Sequence, residues 1–294
     1  MHAGDLLLEV NGNPVKTSVN LYSAFTGTAG KQTSIKVGAS ANDPKARTYT
    51  VVPIGSEASL RYQAWVADNR EKVEKATGGR IAYIHVPNTS IQGMQEFTKQ
   101  YYPQTDKEGI IVDERFNGGG FIPDFFVERL WRTTWVKWSN RDGIGFRTPS
   151  TGIDGPKCIV VNEYAGSGGD AFPYYFKMQG LGPIIGKRTW GGLVGISHDL
   201  PLVDGGAVTM PDFGMYDPRQ GKWLVENHGV DPDIEVENSP DQMVSGRDPQ
   251  LEKAIQYCMD SLQKNPPAKS LLPAFKVQEG LNEAQKSAAE AGQR

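Results

Sequence analysis

Short apolar runs alternate with amphipathic segments over the middle of the chain. The runs predict strands, which are RIAYIHVP (80–87), GIIVDER (109–115), KCIVVNE (157–163), GPIIGK (182–187) and GGAVTMPDF (205–213). The helical spacing of apolar residues predicts helices over 90–102, 121–135, 169–180 and 248–264. Strands that alternate with helices predict an α/β sheet covered on both faces, with functional loops at the carboxyl ends of the strands.

The residues before this pattern predict a smaller, β-rich unit. Its elements are strands over 6–10, 34–37 and 48–52 and a helix-like stretch over 20–25. A strand begins almost at the first residue, which is typical of a sequence that starts inside a domain. An amphipathic stretch over 59–77 predicts a connecting helix, and residues 265–294, which are polar and rich in alanine, predict a disordered tail.

Composition and charge exclude several classes of function. The chain has 294 residues and a formal net charge of -3 with the signs interspersed, so it lacks the basic field that binds nucleic acid. It contains no apolar run of about 18 residues, which predicts that it does not span a membrane. The two cysteines, Cys158 and Cys258, lie outside any metal-ligand spacing, and we expect neither a metal nor an organic cofactor.

The stretch NEYAGSGGD places Ser167 between a predicted strand and a predicted helix. Glycines on both sides permit a tight, exposed bend, in which the serine could be a nucleophile with backbone amides beside it. The same stretch also describes a serine that caps a helix, and local sequence favours the cap because capping serines are far more common. A second loop, RFNGGGF (115–121), offers bare amides that suit an oxyanion hole, although three glycines also suit an ordinary turn.

A nucleophilic serine needs a base, and the histidines give no clear candidate. His85 lies inside an apolar strand and is more typical of a structural core histidine, while His198 and His228 lie in predicted loops. Glu226, which is close to His228 in sequence, is a carboxylate that could orient a catalytic group or simply be solvated.

Together, four motifs resemble the tricorn proteases of the C-terminal processing peptidase superfamily: GIIVDERFNGGGF, NEYAGSGGDAFPYYF, GLGPIIGKRTWGGLVGIS and VENHGVDPDIEVE. Residues 5–54 resemble the later part of the PDZ domain that precedes the catalytic core in that family. The resemblance implies an α/β (α+β) peptidase core with a mixed sheet flanked by helices, preceded by a truncated β-rich PDZ-like domain. The predicted division is a partial PDZ-like domain (1–56), a helical connector (57–79), a serine peptidase core (80–264) and the tail (265–294).

The resemblance also implies the roles of individual residues. Ser167 falls on the nucleophile, Glu226 on a glutamate that supports it through a second serine, and Gly120 and Gly168 on the positions whose amides form the oxyanion hole. The family's base, a histidine next to that second serine, lies in a segment before the PDZ domain, and none of the histidines here matches it. The lysine that replaces it in related peptidases corresponds to Gly192. We therefore expect this chain to be weakly active alone.

Substrate and context follow from the same resemblance. Trp138 falls nearest to an acidic residue that selects basic side chains in relatives, and Asp142 is the alternative after a small shift of the alignment. The implied substrates are peptides, the implied assembly is a homo-oligomer, and the implied location is the cytoplasm. Two other interpretations stay open. One is a non-catalytic PDZ-type peptide-binding module in which Ser167 is a cap, and the other is an α/β esterase with His228 as its base.

Overall fold

The computed structural model describes residues 1–140, 145–267, 270–273 and 283–291, and the chain divides into two compact units, Met1–Trp65 and Val66–Arg294. In chain order the strands and helices are β1 Leu6–Val10, β2 Asn13–Pro14, β3 Thr33–Gly38, β4 Arg47–Val51, α1 Ala58–Thr77, β5 Ile81–His85, α2 Ile91–Tyr101, β6 Gly109–Asp113, α3 Pro123–Leu130, β7 Val136–Ser139, β8 Gly145–Thr148, β9 Lys157–Val161, α4 Gly168–Met178, β10 Ile184–Gly186, β11 Gly195–Pro201, β12 Ala207–Phe213, β13 Tyr216–Asp217, β14 Lys222–Trp223, β15 Ile234–Glu235, α5 Pro240–Val244, α6 Pro249–Lys264 and α7 Glu283–Ala291. Short 3-10 helices cover Leu21–Phe25 and Tyr102–Gln104.

The first unit contains an antiparallel sheet with the strand order β2-β1-β3-β4. Alternate residues of β1 and β3 face inward, so Val10, Ile35 and Val37 form the buried core of the unit. Partly buried apolar side chains pack against them, including Phe25 from the 3-10 helix and Tyr49 from β4.

The second unit is built on a five-stranded sheet in the order β15-β10-β9-β6-β5. All of its strand pairs are parallel. Every residue of β5, β6 and β9 is buried, which explains why these strands are continuous apolar runs in the sequence rather than alternating patterns.

Helices cover the sheet. Aromatic side chains from α2, α3 and α4 pack together against the strand residues Ile84, Val112 and Ile159; these aromatic residues are Phe97, Tyr101, Phe126, Phe172 and Phe176. Helix α6 packs on β6, β9 and β10, and its Cys258 lies 3.7 Å from Cys158 of β9, sulfur to sulfur. Both cysteines are free and buried.

A buried ionic cluster lies where β6 ends. The guanidinium of Arg115, which is 2 % exposed, donates to Asp113 and to Asp248 at the start of α6, with shortest distances of 2.6 and 2.8 Å. Tyr83 of β5 donates to Asp113 at 2.9 Å. Although burial opposes ionisation, the charge of Arg115 holds the pKa of Asp248 below its ordinary value. The cluster thus ties α6 to the end of β6, directly before the glycine-rich loop.

The predicted fold class is confirmed, because helices flank a sheet and a β-rich unit precedes it, although the sheet is parallel rather than mixed as expected. Two assignments differ in detail. Of the predicted strand 205–213, residues 207–213 form β12, but this strand pairs with β11 in a separate hairpin, and the fifth strand of the sheet is the two-residue β15. Within the tail predicted to be disordered, residues 283–291 form α7, and residues 268–269, 274–282 and 292–294 lie outside the described residues.

Replacing Arg115 by alanine should strongly destabilise the second unit. The change leaves Asp113 and Asp248 buried without their counter-charge, which typically costs about 3–5 kcal/mol. Chemical unfolding of the variant measures this loss. Arg247→Ala, which breaks the exposed ion pair with Glu252, is the control and should change stability little. Equal losses in the two variants would contradict the role assigned to the buried cluster.

Candidate active site

Two loops at the same edge of the parallel sheet form the candidate site. The glycine loop, residues 114–122, follows β6, and the serine turn, residues 162–168, follows β9. β6 and β9 are adjacent and in register, with Asp113 opposite Val160. The two loops therefore leave the sheet side by side at the carboxyl ends of its strands, where α/β proteins gather functional groups.

Asn117 holds the two loops together. Its backbone oxygen accepts a hydrogen bond from Gly166 at 3.1 Å, and its buried side chain accepts from Gly119 at 2.9 Å and donates to Val86 at 3.2 Å. The approach is close enough that a Cβ on Gly119 would lie 2.7 Å from the Cβ of Ser167, and the φ of Gly119 is +84°. Only glycine fits there, so bare backbone lies against the serine.

Ser167 has an unusual backbone conformation. Its φ is 57° and its ψ is -118°, in a region that costs a non-glycine residue roughly 1–3 kcal/mol. Helix α4 begins at the next residue, yet the Ser167 side chain makes no capping hydrogen bond. The cap interpretation, which local sequence favours, therefore does not describe this serine. A half-buried hydroxyl remains at a sharp turn between a strand and a helix.

Two backbone amides lie beside Ser167. The amide of Gly168 is at the start of α4, where helical N–H groups have no acceptor within the helix. A Cβ built on Gly168 would lie 2.8 Å from the nitrogen of Gly120 and 2.0 Å from Oγ1 of Thr89, so the predicted oxyanion residues are in close contact. Within the part of the chain that the structure describes, neither amide donates to another residue. Such free N–H groups can bind an oxygen that develops negative charge.

Glu226 lies in the segment between β14 and β15 and is fixed by backbone amides. Its Oε2 accepts from Leu193 and Val194, each at 2.7 Å. The residues on either side, Val225 and Asn227, have φ values of 69° and 62°, and Asn227 donates its backbone N–H to Gly191 at 2.8 Å. The carboxylate is therefore held by a constrained segment rather than solvated freely, and its Oε1 remains available as an acceptor.

Asp170 connects these segments, and the sequence analysis missed it. This fully buried residue of α4 accepts from Oγ1 of Thr189 at 2.5 Å and from the amide of Gly191 at 2.8 Å. Burial raises the pKa of Asp170 in spite of these hydrogen bonds, and the charge of Glu226 contributes. The only signal in the sequence was an acidic residue in the first turn of a helix, which is common.

The histidines for which the structure gives side-chain contacts have other partners. His85 is buried, and its Nε2 donates to the backbone oxygen of Arg115 at 3.0 Å; burial lowers the pKa of His85, which keeps it neutral. This arrangement matches the structural role predicted for it. His228 is exposed and contacts Asp231 at 2.7 Å. His198 lies on β11 opposite Met210, and His2 belongs to the first unit.

None of the contacts described joins the specificity candidates, Trp138 and Asp142, to the residues around Ser167. Trp138 of β7 stacks on Phe146 of β8 with ring centroids 5.7 Å apart, and its indole N–H donates to Thr148 at 2.9 Å. Its described partners therefore belong to its own hairpin. Asp142 lies outside the described residues.

An apolar groove of about 370 Å³ lies beside Glu226. Its wall includes Val194, Phe213, Met215 and Trp223. The ring of Phe213 also lies 6.0 Å from that of Phe121, centroid to centroid, and Phe121 directly follows Gly120. The groove thus reaches from the segment of Glu226 towards the glycine loop, and its lining suits an apolar side chain.

Two further kinds of feature are absent from the described ranges. They contain no group of three or more His, Cys, Asp or Glu side chains arranged to hold a metal ion. None of the helices formed by these residues is long and apolar enough to cross a membrane.

Comparison with known proteins identifies the family of the chain. Residues 80–236, a little over half of the chain, match the model of peptidase family S41. The chain belongs to peptidase family S41. Residues 1–56 match the tricorn protease PDZ domain. The resemblance to tricorn proteases that the motifs indicated is therefore confirmed.

Relatives in this family are much longer than the chain. It is 39% identical over 261 residues to the tricorn protease of Thermoplasma volcanium, covering 89% of this chain and 25% of that protein. It is also 39% identical over 267 residues to tricorn protease homolog 1 of Streptomyces coelicolor, covering 90% of this chain and 25% of that protein. A crystal structure of the tricorn protease superposes with a TM-score of 0.81 at 36% identity, covering 88% of this chain and 25% of the other. The chain thus spans about a quarter of the length of these relatives.

The glycine loop provides a matched test of the close approach. Gly120→Ala should destabilise the protein by roughly 1–3 kcal/mol from backbone conformation alone, because φ at this position is +140°. The collision adds to this, since the new Cβ would lie 2.3 Å from the backbone oxygen of Thr89. Gly118→Ala is the control, with its nearest neighbour 4.0 Å away. Thermal unfolding compares the two, and a similar loss in both would show that the loop is not tightly packed at Gly120.

Proposed function

We propose that Ser167 is the nucleophile of a serine peptidase. The observation that supports this most directly is its strained conformation at the start of α4, with a hydroxyl free of any capping bond and two free amides beside it. A serine that only caps a helix bonds to the amides of the first turn and needs no strain. A serine nucleophile at a strand-to-helix turn uses this geometry to expose its oxygen.

The chemistry follows from the groups around Ser167. Its Oγ attacks the carbonyl carbon of a peptide bond, a base takes the hydroxyl proton, and the carbonyl oxygen becomes negative. The amides of Gly120 and Gly168 donate to that oxygen, and each such donor is typically worth about 3–4 kcal/mol. Collapse of this tetrahedral intermediate breaks the carbon–nitrogen bond, and the amine leaves with a proton from the base. Water then hydrolyses the acyl-enzyme.

Glu226 supports the proton transfer without contacting the substrate. Its Oε2 is occupied by two amides, which fix the carboxylate and leave Oε1 free to accept from a hydroxyl. A second serine that bonds to Oε1 would orient the base histidine, as the resemblance to tricorn proteases implies. The carboxylate thus takes the orienting role that the third member has in other triads.

The base comes from a polypeptide segment beyond the described site. His85 is buried against Arg115, and His228 is exposed and paired with Asp231, so neither suits the role. Without its base the chain is weakly active, because general acid–base help typically contributes around 10²- to 10⁴-fold.

The biological setting is part of the proposal. The substrates are peptides, and the apolar groove beside Glu226 supports this with a surface suited to a peptide side chain. We propose the domain division predicted from the sequence, with boundaries after residues 56, 79 and 264. From the family we also propose that the protein assembles into a homo-oligomer and acts in the cytoplasm. Sedimentation of the purified protein tests the assembly.

Labelling with a serine-directed fluorophosphonate tests the nucleophile. The phosphorus should bond to Oγ of Ser167 with loss of fluoride, at a rate roughly 10²- to 10⁴-fold below that of serine peptidases with their base in place. Ser167→Ala should abolish labelling as followed by intact mass. Ser239→Ala, at the start of α5, is the matched control and should label normally.

Three outcomes would change the proposal. Rapid stoichiometric labelling would contradict the absence of the base. Labelling that survives Ser167→Ala would contradict the nucleophile. If no labelling occurs even on prolonged incubation, the non-catalytic peptide-binding module is favoured.

Substrate preference tests Trp138. An aromatic residue at this position favours an apolar side chain before the scissile bond, so peptides ending in Phe should be cleaved better than those ending in Arg. We expect Trp138→Ala to reduce that preference roughly tenfold in kcat/KM, measured in protein with its base present. Trp135→Ala, another exposed tryptophan nearby, is the control. A preference for Arg would instead point to Asp142.

A further inference from the structure

Two buried carboxyl groups lie behind the serine turn. Glu114, directly after β6, and Asp170, in the first turn of α4, are both 0% exposed. In the described part of the protein, three of their four oxygens have no hydrogen-bond partner: both oxygens of Glu114 and Oδ2 of Asp170. Unpaired buried oxygens are costly, so this arrangement needs a physical explanation.

The remaining oxygen of Asp170 accepts two hydrogen bonds. Its Oδ1 accepts from the hydroxyl of Thr189 and the amide of Gly191, which both follow β10. The hydroxyl of Thr189 in turn accepts from the amide of Val230 at 2.8 Å. One carboxyl group thus connects α4, the segment after β10 and the segment before β15.

These contacts continue to Glu226. Gly191 accepts from the amide of Asn227 at 2.8 Å, and Leu193 and Val194 donate to the carboxylate of Glu226. On the other side, the amide of Asp170 donates to the backbone oxygen of Ser167 at 2.9 Å. The path from Ser167 to Glu226 therefore passes through Asp170.

We propose that Asp170 is a positioning residue that sets the placement of Ser167 relative to Glu226, and that Glu114 holds Asp170 by donating a carboxyl hydrogen bond to its free Oδ2. This rests on the proposed function of Ser167. Neither carboxyl group touches the substrate. Their effect on the reaction is through the geometry of the two groups that they connect.

The ionisation of Glu114 agrees with this role. Burial raises the pKa of Glu114 well above its ordinary value, and the charges of Asp170 from α4 and Asp113 from β6 raise it further, while Asn117 opposes them. Asp170 in turn faces Glu226. Glu114 therefore holds its proton to a higher pH than an exposed glutamate does and can donate it in a hydrogen bond, whereas two ionised carboxylates would repel each other.

The pair of Glu114 and Asp170 makes the free energy of unfolding depend on pH. The native state binds a proton on Glu114 that the unfolded state releases above the ordinary pKa of 4.5. Stability is therefore fully present below that pH and falls as the pH rises towards the raised pKa of the native state. Glu114→Gln, whose amide can donate to Asp170 at any pH, should remove this fall. Glu163→Gln, on the exposed part of the serine turn, should retain it.

The positioning role is tested by the rate at which a fluorophosphonate modifies Ser167. Asp170→Ala should slow modification roughly 10- to 100-fold in protein that remains folded, because reaction rates depend steeply on small displacements. Asp170→Asn keeps an acceptor for Thr189 and Gly191 and a donor for Glu114, so it should retain most of the rate. Asp241→Ala, in the first turn of α5, is the matched control.

If Asp170→Ala does not fold, Thr189 provides the same test. Thr189→Val removes one of the two donors to Asp170 and should slow modification, and Thr189→Ser should restore it. In the wild type, modification should also slow as the pH rises through the raised pKa of Glu114, and this decline should be absent in Glu114→Gln. A merely structural role would not produce that pH profile.

Each result supports or overturns the proposal. Unchanged modification in both Asp170→Ala and Thr189→Val would overturn the positioning role. A pH dependence of stability that persists in Glu114→Gln would overturn the carboxyl pair. Modification that does not require Ser167 would overturn the proposed function and the positioning role together, and the stability series would then still confirm or overturn the pair by itself.

Discussion

The site depends on one steric constraint, which is that backbone segments approach Ser167 more closely than any side chain allows. A Cβ on Gly119 would meet the Cβ of Ser167 at 2.7 Å, and one on Gly168 would meet the backbone oxygen of Gly120 at 2.3 Å. Contacts of this kind are open only to glycine. Because no side chain stands between the two loops, the backbone at Gly120 and Gly168 lies close to Ser167. The oxyanion hole that we propose therefore depends on where the glycines lie.

Such an approach stores strain, and buried polar contacts offset it. The left-handed conformation of Ser167 costs roughly 1–3 kcal/mol, while each hydrogen bond that fixes the loops contributes about 1 kcal/mol. Asn117 makes several of these bonds, and Oδ1 of Asn162 accepts from Phe116 and Tyr164. Beneath them, the Arg115 cluster fixes the point at which β6 ends. The strained turn therefore rests on a largely paired polar interior, in which Glu114, Asp170 and Thr89 have buried oxygens without a described partner.

Much of the fold could be predicted because buried parallel strands and amphipathic helices leave strong local patterns. β1 was predicted with its observed bounds, and α1 and α6 to within one residue at either end. β15 could not be found, since two residues carry no periodicity and its place in the sheet depends on pairing with β10. In the site, local rules favoured a cap at Ser167 because they cannot represent a backbone strain that contacts with Gly119 impose. Asp170 was missed for the same reason: its partners lie 19 and 21 residues further along the chain.

The arrangement also separates two contributions to catalysis. In our proposal, the oxyanion donors and the carboxylate of Glu226 need little rearrangement when charge develops, because backbone contacts fix them. Proton transfer depends instead on a base that the described site does not include. These contributions are distinct in kind, because electrostatic stabilisation acts on the carbonyl oxygen while the base acts on the serine hydroxyl. In our proposal, such a site gains its full rate only when the segment that carries the base docks against Glu226. The placement of Glu226 relative to Ser167, which Asp170 maintains in our proposal, then determines whether docking brings the base within reach of the hydroxyl.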